Sequence, residues 1–138
     1  MIDIDPKVWG KSSGQSLDQH ISECLFILES LIKAVPDLEF LFKSADLELG
    51  FRDLLFLSLL LHDLGKVHID FQNLLKRQEN QWEHQRHETY SVPFTDKLDI
   101  DPDSQELIRY AILCHHKDFI ELLNYFHEHF NTSIRKRL

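Results

Sequence analysis

Residues 51–66 read FRDLLFLSLLLHDLGK. Read with a period of two, this run suggests a strand. Its length, its leucines and its lack of β-branched residues instead predict a buried helix from Phe51 to Leu64, with Gly65 as the natural stop. The flanking segments carry helical spacing too. Upstream, Leu17, His20, Ile21, Cys24, Leu25, Leu28, Leu31 and Ile32 recur every three or four residues, so one long amphipathic helix places His20 on its inward stripe. Ser16 is its expected cap, with Gln19 as capping-box partner. Pro36 ends that helix, and Asp37 to Ser44 reads as a helical turn or two. Downstream, helical stretches are expected at Ile69 to Gln78, His87 to Lys97 with a kink at Pro93, Asp103 to His116 and Phe119 to Phe130. In the third of these, Leu107, Ile108, Ala111 and Ile112 are expected inside. Residues 1–15 read as an irregular lead-in and Gln81 to Arg86 as a polar connection. The prediction is an all-α chain, a compact bundle of six or seven helices.

Length and composition agree. The 138 residues fit a single domain spanning 1–138, and 43% apolar with 28% charged residues can bury a core. Four glycines and four prolines argue against a turn-rich all-β chain. The longest apolar run, Leu54 to Leu61, is broken by Ser58 and is too short for a membrane span. The opening MIDIDPKVWG lacks the basic and apolar regions of a secretory signal, so a cytoplasmic location without membrane association is expected. Cys24 and Cys114 have no CxxC spacing and read as reduced, half-buried thiols without function. Fifteen basic against 23 acidic residues give a net charge of −8, which disfavours a passive nucleic-acid binder.

Nine histidines are unusually many, and imidazole is the commonest metal ligand. His62-Asp63 ends a very apolar helix, where a buried charged pair is costly unless a metal ion compensates. A capping Asp beside a core His would look the same, and His115-His116 taken alone is equally ambiguous. Together, His20, His62, Asp63, His87, His115 and His116 lie on or beside the inward faces of different helices, the arrangement by which bundles build central metal sites. Six nitrogen and oxygen ligands without cysteine suit one or two divalent ions, Mn²⁺, Fe²⁺, Ni²⁺, Co²⁺ or Zn²⁺. Asp63 is the best bridging ligand, having two oxygens. His68, His84, His127 and His129 lie in polar surroundings and read as surface residues. Lys66 just past the helix end fits either a phosphate contact or a favourable interaction with the helix dipole.

The order of these residues resembles the HD superfamily of metal-dependent phosphohydrolases, named for a His-Asp pair such as His62-Asp63. Within it the chain is most similar to the HD nuclease domain of CRISPR-associated type I interference proteins. GQSLDQHI supplies His20, LLLHDLGKVHIDFQNLL supplies HDxGK and the Phe71-Gln72 pair, RHETYS supplies His87, and AILCHHKD supplies the tandem His115-His116. The likeness covers residues 16–118. It implies hydrolysis of phosphodiester bonds in DNA, preferentially single-stranded, in antiviral defence, with a superfamily 2 helicase and a surveillance complex as partners. The metal set stays open across Mn²⁺, Ni²⁺, Co²⁺, Fe²⁺, Mg²⁺ and Zn²⁺, and Asp63 and Lys66 are the expected catalytic residues.

Two features depart from that family. Lys117 stands where a glycine often follows the tandem histidines. A final acidic ligand is usual some tens of residues further on, yet the sequence stops at Leu138, 22 residues past His116, and Asp118 and Glu121 are too close to replace it. Either the domain is truncated at its C-terminus or that ligand is missing. Two other functions compete: an HD phosphohydrolase acting on nucleotides or cyclic dinucleotides, and a non-catalytic interaction module with a degenerate metal site.

Overall fold

A computed structural model describes residues 5, 7–38, 47–83, 85–117, 120–121 and 123–125. Among them the chain is all-α: α1 (Leu17–Ala34), α2 (Phe51–Leu61), α3 (Ile69–Leu75), α4 (His87–Ser91) and α5 (Pro102–Cys114). Short 3₁₀ helices, Leu64–Val67 and Val92–Lys97, join α2 to α3 and extend α4. Residues 36–38 form a 3₁₀ turn, and residues 120, 121 and 123–125 are helical. The remainder of the segments expected at 37–44 and 119–130 lies outside the described residues.

Ser16 caps α1 by accepting from the Gln19 backbone N–H at 3.2 Å. Only half of the predicted capping box forms, because the Gln19 side chain donates instead to Glu23 one turn on, at 3.1 Å. Asp101 is the N-cap of α5 and accepts from Ser104 N–H at 2.9 Å, with Pro102 in the first turn where its missing N–H costs nothing. Helix α2 packs between α1 and α5. The core is Leu17 and Ile21 of α1, Leu54 and Leu61 of α2, Leu64, and Ile108 and Ile112 of α5. The inward stripes are narrower than the spacing suggested: Leu31, Leu107 and Ala111 are exposed. At about 100° per residue, positions on the margin of a stripe turn out of the contact.

Helix α2 ends at Leu61, three residues before the expected Leu64. His62 keeps helical angles but Asp63, at φ −109° and ψ 5°, leaves them. Gly65 therefore does not cap α2, and its reason lies in packing. A Cβ there would overlap the His87 carbonyl oxygen and stand 2.9 Å from Ser91 N. The Gly65 N–H donates to Ser91 Oγ at 2.7 Å, so the 3₁₀ turn after Asp63 lies backbone to backbone against α4.

The lead-in is ordered by a residue far along the chain. Gln72, 4% exposed, accepts from Trp9 N–H at 2.8 Å and donates to Trp9 O and Lys66 O at 2.9 and 2.8 Å. This clamp sets residues 7–10 over the start of α1, where Trp9 bridges to Ser16 and Gly10 O accepts from Lys66 Nζ at 3.0 Å. Gln72→Leu removes all three bonds and leaves the buried Lys66 carbonyl and the part-buried Trp9 backbone groups unpaired, at a cost of about 1–3 kcal/mol for the buried one and less for the others. Thermal or urea unfolding should show a loss of roughly 2–4 kcal/mol; a variant as stable as the parent would mean that the clamp carries no load.

Candidate metal centre

Four helices deliver histidines to one carboxylate. Asp63, 1% exposed at the turn after α2, has Oδ2 3.0 Å from His20 Nε2 of α1 and 3.2 Å from His62 Nε2. Its Oδ1 lies 2.8 Å from His87 Nε2, at the start of α4, and 3.6 Å from His115 Nε2, at the C-cap of α5. The His116 ring lies against that of His115, tilted by 43° with centroids 4.0 Å apart, and stands 5.2 Å from that of His87. All six sequence-predicted ligands thus converge, from positions up to 96 residues apart.

The imidazoles are aimed by their second nitrogens. His62 Nδ1 is 2.7 Å from Leu59 O and His115 Nδ1 is 2.6 Å from Ile112 O. A carbonyl oxygen only accepts, so Nδ1 carries the proton in both rings and Nε2 presents a lone pair. Behind His87, Glu88 Oε2 lies 3.4 Å from Nδ1, and Glu88 is gripped by Arg86 at 2.7 Å. Arg86 also donates to Leu113 O at 3.0 Å, tying the start of α4 to the end of α5. Sequence reasoning missed Arg86 and Glu88 as positioning residues, although they flank His87 in the motif it used.

Asp63 Oδ1, His87 Nε2 and His115 Nε2 are buried without a hydrogen-bond partner despite their closeness. Lone pairs facing one another in a dry site are costly unless a cation lies among them. Atoms bonded at about 2.1 Å to one ion stand about 3.0–3.4 Å apart, close to the separations found here. The donors fall into two groups, Asp63 with His87, His115 and His116, and His20 with Cys24 and His62, each with its ligand atoms within 4.8 Å of one another. The residues therefore fit divalent metal. Cys24, read as a thiol without function, lies in the second group, so the donor set is not free of sulfur. The missed signal was its place four residues after His20, one turn on along the same helix face.

Burial pushes the Asp63 carboxyl up, but His115, His62 and His87 together outweigh it and hold Asp63 well below the usual carboxylate range. His20 and His116 are lowered, chiefly by burial; Asp63 partly opposes this for His20, while His115 and His87 add to it for His116. These two rings are neutral near pH 7, the form that binds metal. In the unfolded chain each takes a proton near pH 6.5, before the folded chain does. Their contribution to stability is thus present above about pH 6.5 and is lost as pH falls through their lower folded values. The chelator-treated protein should melt at lower temperature at pH 5.5 than at pH 7.5, and metal affinity should weaken in the same direction. A profile flat in both would contradict the assignment.

Lys66, 8% exposed, places Nζ 2.6 Å from Asp63 Oδ2. It belongs to the cluster, as a partner of the carboxylate. His68 was expected at the surface, but it is half-buried against the rings of Trp82 and Tyr90, at 5.3 Å from each, and its Nδ1 accepts from Asp70 N–H at the start of α3. Its ring is amphipathic enough to serve both contacts. His84, His127, His129, Asp118 and the basic tail Arg135 to Arg137 lie outside the described residues. Lys117 is exposed and paired with Glu121 at 3.1 Å. Beside His87 opens a cleft of about 440 Å³ lined by Arg86, Glu88, Lys117, Asn124 and Tyr125. Among the described residues no helix is long and apolar enough to cross a membrane.

A protein-family profile described as HD domain matches residues 17–134. No curated protein and no solved structure matches the chain.

Proposed function

The chain belongs to the HD domain family of metal-dependent phosphohydrolases, and from that premise we propose that it cuts phosphodiester bonds of single-stranded DNA as the nuclease of CRISPR interference. The observation that supports the nuclease reading is the open cleft beside His87, where Asn124 offers hydrogen bonds and Tyr125 a stacking face to a strand, while the cations Arg86 and Lys117 are paired with Glu88 and Glu121. A nucleotide or cyclic-dinucleotide hydrolase would use the same metal cluster with a pocket that buries most of its small substrate. The sequence order of HDxGK, the Phe71-Gln72 pair, RHE and HH supports the same reading.

A divalent ion in this centre supplies a lowered pKa for the attacking water and charge neutralisation at the phosphate. His87, His115 and His116, with Asp63 Oδ1, would hold one ion, and His20 and His62 lie at Oδ2. Asp63 would serve both groups. Lys66 beside Asp63 is the cation assigned to a non-bridging phosphate oxygen, where a charge-assisted hydrogen bond is strong. Arg86 and Glu88 position His87.

With net charge −8, the isolated domain releases few counterions on DNA, so its affinity should be weak and metal-dependent. Delivery of the strand is assigned to a superfamily 2 helicase and a surveillance complex. The deciding experiment incubates the metal-loaded protein with circular single-stranded DNA, cyclic dinucleotides and nucleotides across Mn²⁺, Ni²⁺, Co²⁺, Fe²⁺, Mg²⁺ and Zn²⁺. Cutting of the circle is expected. Hydrolysis of the small substrates alone would replace the nuclease by the phosphohydrolase reading, and metal binding with no hydrolysis at all would leave an interaction module.

A further inference from the structure

We propose that Cys24 is a metal ligand, its thiolate joining His20 Nε2, His62 Nε2 and Asp63 Oδ2 around one of two ions and giving that half of the centre a sulfur donor. The inference rests on the reading of the cluster as a divalent metal centre and goes further, to the ligand set and ion preference of one half.

Cys24 does not stand alone. It follows His20 by four residues, so both side chains leave the same face of α1, and His62 faces them from the end of α2. One ligand atom from each lies within 4.8 Å of the other two. Asp63 Oδ2 closes the group at 3.0 Å from His20 and 3.2 Å from His62. An independent sign of a cation at this carboxylate comes from its other oxygen. Asp63 is 1% exposed, yet Oδ1 has no hydrogen-bond partner and is directed at the second set of imidazoles, which leaves Oδ2 to serve the Cys24 side. Lys66 Nζ, 2.6 Å from Oδ2, is the cation competing for that oxygen.

The chemistry separates the two halves. Histidine and carboxylate donors accept a broad range of divalent ions, whereas a thiolate favours Zn²⁺, Co²⁺ or Fe²⁺ and disfavours Mg²⁺. Burial holds the free thiol above its ordinary pKa, so the sulfur waits as S–H. When the ion binds, the S–H bond breaks, the sulfur keeps the electron pair for the metal bond, and the proton passes to solvent.

The test is titration of the whole chain with Co²⁺, followed in the visible and near-ultraviolet. Two ions per chain are expected, with a thiolate-to-cobalt charge-transfer band that accompanies one of them. Cys24→Ser should lose the band and bind that ion at least ~10-fold more weakly, while Cys114→Ser keeps both. On the unmodified chain, Zn²⁺ should slow alkylation of Cys24 by iodoacetamide at least ~10-fold, read at that residue by mass spectrometry, a result that needs no variant to fold. Cobalt bound without the band, a band that survives Cys24→Ser, or a Cys24 alkylated equally fast with Zn²⁺ would overturn the proposal and leave the histidine centre standing. Failure of the chain to bind cobalt at all would overturn the metal centre itself.

Discussion

Asp63→Asn is expected to lower phosphodiester hydrolysis at least ~10³-fold, because a Lewis-acid centre is worth several kcal/mol in the transition state and each 1.36 kcal/mol is a factor of ten. Asparagine keeps the shape but surrenders the charge and one of the two oxygens that separate His20 and His62 from His87 and His115. It also leaves the Lys66 ammonium, 2.6 Å away and nearly buried, without its counter-charge. Breaking a buried pair by removing one partner costs about 3–5 kcal/mol, so the single variant should be less stable as well. Asp63→Asn with Lys66→Met removes the orphaned ammonium and should recover most of that stability while staying inactive and metal-free. Recovery of activity along with stability would mean that Asp63 is an architectural residue. Activity near the parent level in the single variant would remove it from the centre. Circular dichroism, metal analysis and turnover of circular single-stranded DNA together separate these outcomes.

Gly65→Ala should be the most damaging of the Gly→Ala changes in the chain. The added carbon would collide with the His87 carbonyl oxygen and crowd Ser91 N, both backbone atoms that cannot rotate away. Either the turn that carries Asp63 and Lys66 shifts, or α4 does. Overpacking of this kind costs about 1–3 kcal/mol and more where the backbone must move. Because His87 opens α4, the same displacement separates its Nε2 from Asp63 Oδ1, so metal affinity should fall with stability. The variant should unfold at a denaturant midpoint lowered by at least about 3 kcal/mol equivalent and bind Mn²⁺ at least ~10-fold more weakly. Parent-like unfolding and binding would show that the turn and α4 are not pressed together.

What was legible in the sequence follows from what a linear pattern can carry. Leu17, Ile21, Leu54, Leu61, Ile108 and Ile112 repeat with the helical period, and they form the core. The convergence of the candidate ligands was legible because histidine and aspartate at the end of an apolar helix are conspicuous, and five histidines gather at Asp63 or beside it. Three features were not. Gln72 reaches back 63 residues to Trp9, and a side chain bonded to distant backbone leaves no periodic trace. Gly65 carries the same letter whether it caps a helix or admits a neighbouring chain, and only the fold distinguishes the two. Cys24 was passed over because a cysteine without a CxxC partner has no local signature, although its sulfur lies with His20 and His62. The helix boundaries erred where tertiary contact decides: α2 stops at Leu61 because Asp63 must leave the helix to face four imidazoles.

The most direct test of the centre is anomalous diffraction from crystals grown with saturating Mn²⁺, collected on both sides of the metal edge. An anomalous peak in bonding contact with Asp63 Oδ1, His87 Nε2 and His115 Nε2, three buried atoms without a hydrogen-bond partner, is the predicted result. Crystals in which those atoms hold no ion, with Lys66 still paired to Asp63 and manganese absent or bound elsewhere on the surface, would contradict it.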